Sequence, residues 1–174
     1  MANLIVGIAD CKTSRDAETT ILTYALGSCI ALALYDPAAK IGGMLHYMLP
    51  SSQNDSQKAT MNPAMYADTG FPLLFAGLQK LGANPKRLVA HLAGGGQILE
   101  SHAALNIGKR NQIAAKSLLW KAGILLQSES LGGAVTRSIG LQVATGQIWL
   151  KQSETSRPTG GFIGEKHGLS SIGG

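Results

Sequence analysis

Short apolar runs alternate with clusters of glycine, proline and polar residues along most of this chain. Leu4-Ile5-Val6-Gly7-Ile8 predicts a first strand, followed by a polar connection from Asp10 to Glu18. Thr19 to Leu26 contains Thr19, Thr20, Ile21 and Thr23, β-branched residues that suit a pleated surface, and predicts a second strand. Gly27-Ser28 interrupts the pattern; Cys29 to Tyr35 resumes it as a strand or short helix, and Asp36-Pro37 marks a turn. Ile41 to Leu49 is a further apolar run, closed by Pro50.

Ser51 to Thr60 is polar and without periodicity, which predicts a mobile loop. Asn62-Pro63 supplies an N-cap and a first helical position for a helix towards Leu81, with Gly82 past its end. Pro72 lies inside that span and predicts a kink or a second helix beginning there. Leu88 to Leu92 predicts a strand running into Gly94-Gly95-Gly96. Asn106 is placed to cap a helix from Ile107 to Ala122, with Gly123 as its stop. Ile124 to Ser130, Val135 to Val143 and Gln147 to Gln152 predict three strands, the last two joined by a hairpin at Ala144-Thr145-Gly146.

Strands outnumber helices and the order is mixed, so the expected class is α/β or α+β, a mixed sheet with packed helices. No internal repeat is visible. Residues 1–152 are expected to form one folded domain. The Gly/Ser/Thr-rich stretch from Ser153 to Gly174 is expected to be a poorly ordered tail.

With 174 residues the chain has enough length to bury roughly two-thirds of its unfolded surface. Hydrophobic residues at 45% against 14% charged support a core without cross-links. The net charge of +5 favours acidic partners. The lysines and arginines are scattered, with no run that would track phosphates and no interleaved aromatics for stacking on bases, which argues against nucleic-acid binding. The N-terminus has neither a basic region nor an apolar segment with a cleavage site, and no apolar stretch reaches the ~20 residues that span a bilayer. Two cysteines without a secretion signal point to a reducing cytoplasm with free thiols.

Cys29, directly after Gly27-Ser28, is the most suggestive side chain. A Gly-Ser turn can aim backbone N–H groups into one concavity, where they would stabilise an oxyanion beside the thiol. A thiol nucleophile also needs a base, and His46, at the end of the next apolar run, is the natural one. Thr23, in the strand before the turn, is placed to fix the imidazole tautomer through its hydroxyl or carbonyl. On spacing alone, a core thiol and a structural histidine remain open for these positions. Cys11, in a polar connection, fits a structural or incidental thiol. Gly94-Gly95-Gly96 matches no phosphate-binding loop and is better explained by a tight strand exit or close packing. His91, His102 and His167 lack ligand-like spacing, so no metal site is expected. Gly108-Lys109-Arg110-Asn111 fits a solvated, capping-rich turn.

Taken together, these segments resemble the bacterial chemoreceptor glutamine deamidase family, CheD. The resemblance runs through Thr23-Tyr24-Ala25-Leu26-Gly27-Ser28-Cys29, Tyr35-Asp36 and Gly43-Met44-Leu45-His46-Tyr47-Met48-Leu49-Pro50. It continues with Tyr66-Ala67-Asp68, Leu74, Leu81-Gly82-Ala83, Gly94-Gly95, Ile107-Gly108-Lys109-Arg110-Asn111, Leu131-Gly132-Gly133, Arg137 and Thr145-Gly146. It covers roughly residues 4–152; Thr136 stands where the family tends to have glycine. It implies Cys29 as nucleophile, His46 as base and Thr23 as the residue orienting the histidine, with backbone support from Gly27 and Ser28. It also implies a sandwich similar to the catalytic domain of cytotoxic necrotizing factors, and no metal or organic cofactor. The implied reaction converts glutamines on chemoreceptor cytoplasmic helices to glutamates with release of ammonia. Hydrolysis of glutamate methyl esters and a CheC-type phosphatase as partner are implied as well. A non-enzymatic adaptor for such a phosphatase or receptor, and a cysteine peptidase, are the competing readings.

Overall fold

The computed structural model describes residues 1–97 and 106–154. Among the described residues, nine strands and three α-helices follow one another as β1 (Ala2–Ile5), β2 (Asp10–Ser14), β3 (Thr19–Leu26), β4 (Ile30–Asp36), β5 (Ile41–Tyr47), α1 (Ser56–Met61), α2 (Ala67–Leu81), β6 (Val89–Gly94), α3 (Ile107–Ala122), β7 (Leu125–Leu131), β8 (Val135–Gln142) and β9 (Ile148–Glu154). They form a four-stranded sheet, β1-β3-β8-β9, and a five-stranded sheet, β2-β5-β4-β6-β7. Both are mixed: β1 runs parallel to β3 and β6 to β7, while the other neighbours are antiparallel. The expected α/β class with mixed sheets and packed helices is borne out.

Alternation along β4 and β5 sorts the apolar side chains into two layers. Ile30, Leu32, Leu34, Leu45 and Tyr47 meet Ala67, Phe71, Leu74 and Leu78 of α2 and Ala115 and Leu119 of α3. From the opposite face, Ala31, Ala33, Tyr35 and Met44 meet Ile21, Leu26, Ile139 and Leu141 of the four-stranded sheet. The five-stranded sheet is thus buried on both faces, which is why β4 and β5 lack polar alternation. Gly43 on β5 allows the close approach of α2: a Cβ there would press on Leu74 and Leu78.

Three expectations need correction. The connection after Asp10 contains β2, an edge strand paired to β5 from Asp10↔His46 to Ser14↔Gly42. All five of its residues are half-buried, so its polar composition hides the alternation. The polar stretch from Ser51 carries α1, started by the Asp55 carboxylate accepting from Lys58 N–H. Pro72 neither begins nor breaks a helix: α2 starts at Ala67 and continues past it. The break falls at Tyr66, which is extended and forms a bridge with Leu49. Asn106, α3 and Gly123 fall as expected. Strand β9 takes in Ser153 and Glu154, two residues past the expected end of the folded region; the rest of the expected tail, 155–174, lies outside the described residues.

Candidate active site

At one end of the two sheets, β3 finishes at Leu26, β4 starts at Ile30, β5 finishes at Tyr47 and β6 finishes at Gly94, with the first turn of α3 beside them. Thr23 on β3 and His46 on β5 belong to different sheets and meet in the layer between them, 1% and 2% exposed. The Thr23 hydroxyl donates to the Val6 carbonyl at 2.7 Å. The same oxygen lies 2.9 Å from His46 Nδ1. A hydroxyl has only one proton to give. With that proton on Val6, Nδ1 carries the imidazole hydrogen and donates to Thr23. Nε2 is left as a bare acceptor, and it is buried without a hydrogen-bond partner. Burial pulls His46 down from 6.5 to about 4, against a smaller opposing pull from Asp10. The ring is therefore neutral at pH 7, in the tautomer a proton acceptor requires.

Ala31 sits opposite His46 and Ile30 opposite Tyr47 in the β4–β5 ladder. Strand alternation puts Cys29 on the Ala31 face, where it packs against the layer between the sheets. Cys29 stands one residue before β4, and no hydrogen bond joins its sulfur to His46, whose Nε2 is without a partner. Cys29 is a free, half-buried thiol. Desolvation pushes its pKa up, and its own backbone N–H draws it partly back. Thiol and imidazole are both uncharged at rest.

The turn before Cys29 is held by its carbonyls. Gly27 C=O accepts from Gly96 N–H at 2.8 Å, and Cys29 C=O accepts from Gly95 N–H at 2.8 Å. Between them, Ser28 C=O accepts from the Asn111 side-chain amide at 2.9 Å. The glycine run is therefore the close-packing element expected, and it packs on the Gly27–Cys29 turn itself. Gly94 has φ +110, and a Cβ there would collide with the Cys29 carbonyl.

Gly108-Lys109-Arg110-Asn111 is only half the solvated turn expected: Lys109 and Arg110 are exposed, but Gly108 and Asn111 are buried. A Cβ on Gly108 would strike the Gly95 and Gly96 carbonyls. Asn111 is 0% exposed and was not among the residues singled out for the site. Its amide also donates to Met48 C=O at 2.8 Å, and its own carbonyl accepts from Tyr47 O–H at 2.6 Å. The clue in the sequence was an asparagine, a poor helix former, beyond the capping position.

Cys11 lies on β2 opposite Leu45, away from the turn. Burial, and secondarily Asp10, push its thiol up to about 12, as befits an inert structural thiol. His91 bonds Ser128 Oγ through Nδ1 at 2.7 Å; His102 and His167 lie outside the described residues. Among the described residues there is no cluster of three or more His, Cys, Asp or Glu suited to a metal, and no helix long and apolar enough to cross a membrane. A cavity of about 230 Å³ is lined by Leu49, Pro50, Tyr66, Ile107 and Arg110, among others. It adjoins Met48 and Asn111 in sequence.

The family model described as CheD chemotactic sensory transduction matches residues 48–152. A probable chemoreceptor glutamine deamidase of Solibacter usitatus is 49% identical over 88% of this chain and 90% of its own. Another, from Syntrophus aciditrophicus, is 43% identical over 88% of this chain and 96% of its own. Among solved structures, a Neisseria meningitidis protein of the DUF152 family superposes with a TM-score of 0.42 at 11% identity, covering 72% of this chain and 52% of that one. That overlap is too slight to bear on fold or function.

Proposed function

The chain belongs to the CheD family, and on that premise we propose that it deamidates glutamine side chains of chemoreceptors, with Cys29 as nucleophile, His46 as base and Thr23 orienting the imidazole. The observation that carries this reading is the spent Thr23 proton. Because Thr23 donates to Val6, His46 presents an unprotonated Nε2 with no partner in the layer onto which Cys29 packs.

The resting pair is neutral, so attack and proton transfer are coupled. As Cys29 sulfur bonds to the glutamine Cδ, its proton passes to His46 Nε2, and the carbonyl oxygen becomes an oxyanion. Backbone N–H groups of the Gly27-Ser28-Cys29 turn are the donors proposed to hold that charge. Collapse breaks the C–N bond, and the nitrogen takes the proton from His46 and leaves as ammonia. A water molecule then gives a proton to His46 and attacks the thioester. The C–S bond breaks, Cys29 regains its proton, and the side chain is released as glutamate. The same steps would open a glutamate methyl ester, with methanol as the leaving group. No metal or organic cofactor enters the scheme.

Acidic receptor helices suit a chain of net charge +5. The cytoplasm as compartment, a role in chemotaxis and a CheC-type phosphatase as partner complete the proposal. The decisive experiment incubates the protein with a chemoreceptor cytoplasmic fragment and maps the products by mass spectrometry. Conversion of glutamine to glutamate with ammonia release, lost in Cys29→Ala, is expected. Backbone cleavage, or undiminished conversion by Cys29→Ala, would overturn the assignment; an unmodified receptor that nevertheless binds the protein would favour an adaptor.

A further inference from the structure

We propose that Asn111 is a positioning residue that aims the backbone N–H of Cys29 at the oxyanion. The inference deepens the reading of the thiol site above and rests on it.

In a trans peptide the C=O of one residue and the N–H of the next point in opposite directions. Three consecutive carbonyls of the nucleophile turn are fixed to the framework. Gly27 C=O is held by Gly96 N–H and Cys29 C=O by Gly95 N–H, both backbone donors from the end of β6. The middle one, Ser28 C=O, is held by the Asn111 side chain at 2.9 Å. The Ser28–Cys29 peptide is the plane that carries the Cys29 N–H. Its orientation is therefore set by a bond from α3, on the side opposite to where that N–H points. The Cys29 N–H belongs to the same residue as the attacking sulfur. An oxyanion formed on a carbonyl bonded to that sulfur would develop next to the same donor.

Asn111 is itself rigidly held. It is 0% exposed, its second amide bond runs to Met48 C=O at 2.8 Å, and Tyr47 O–H grips its main-chain carbonyl at 2.6 Å. One side chain thus ties the turn before Cys29 to the end of the strand that carries His46. Its Oδ1 is buried with no partner. An unfilled buried acceptor costs folding free energy, and an apolar residue of similar shape would avoid that cost. The asparagine retains a stability penalty, and both of its satisfied donor bonds serve the two elements of the site.

Two small probes separate this role from a merely structural one, and neither needs a receptor. Acylation of Cys29 by p-nitrophenyl acetate passes through an oxyanion; alkylation by iodoacetamide does not. In Asn111→Leu, and in Asn111→Ser as a smaller second variant, acylation is expected to fall about 10- to 100-fold while alkylation stays within about threefold of wild type. Melting temperatures identify which variant is folded. Equal losses in both reactions by a folded variant, or unchanged acylation, would overturn the proposal. Wild-type protein that acylates and loses acylation selectively on substitution, yet leaves receptor glutamines unmodified, would sink the substrate assignment and not the role of Asn111.

Discussion

The unpartnered acceptor on His46 follows from one proton on a neighbouring residue. Thr23 cannot donate both to Val6 and to the imidazole, so Nδ1 must donate and Nε2 must accept. Thr23→Val removes both bonds at nearly constant volume. The ring is then free to take the other tautomer, in which Nε2 carries the hydrogen. Deamidation kcat is expected to fall about 10- to 100-fold with little change in KM. A KM effect of equal size would argue for a binding role instead. A second consequence concerns stability. The unfolded chain protonates His46 near 6.5, whereas burial holds the folded ring to about 4. Between those values the unfolded state binds more protons, so this contribution is complete above pH 6.5 and is lost as pH falls towards 4. It amounts to roughly 3 kcal/mol at most. Urea midpoints between pH 4 and pH 7 should rise with pH in wild type, and more shallowly in His46→Leu.

At the scale of elements, the turn after β4 is fastened by a carboxylate. Asp36, 0% exposed, accepts from Ala38, Ala39 and Asn84 N–H and forms a two-point pair with Arg87. The guanidinium and these N–H groups hold its carboxyl well below the usual carboxylate range. Asp36→Ala should cost about 2–4 kcal/mol, less than for a fully buried pair because Arg87 is 42% exposed. Since Asp36 lies at the far end of β4 from Cys29, the folded fraction should keep its kcat; a thermal melt with an activity assay below the transition checks both. These elements were not equally legible in the sequence. β3 and α3 were marked by β-branched residues and by caps at both ends. β2 was not, because an edge strand pairing on one side shows no apolar alternation in five residues. Pro72 misled because the real helix start depends on the Leu49–Tyr66 bridge, a contact between distant segments. In the site, Thr23, Cys29 and His46 stood beside a recognisable turn or strand end. Asn111 did not, since the carbonyls it holds lie 83 and 63 residues away in the chain.

Across the whole molecule, the five-stranded sheet divides labour between its faces. Helices α2 and α3 stabilise one face, while Thr23, Cys29 and His46 lie towards the other, between the sheets. Leu78 of α2 and Ile139 of β8 are 0% and 1% exposed, so truncating either to alanine should cost about 2–5 kcal/mol through lost burial and a residual cavity. Their effects on catalysis should differ. Leu78 packs in the helix layer, with the whole sheet between it and His46. Ile139 is the register partner of Thr23 on the neighbouring strand, so the void left by its truncation opens beside the Thr23–His46 bond. That bond must hold the imidazole in a single orientation, and a displacement of a fraction of an ångström can misalign proton transfer. At a temperature where both variants remain folded, Leu78→Ala should deamidate at nearly the wild-type kcat, and Ile139→Ala about tenfold or more below it. If the two lose kcat in parallel with their loss of melting temperature, the helix layer and the layer between the sheets are mechanically coupled, and the division of labour fails.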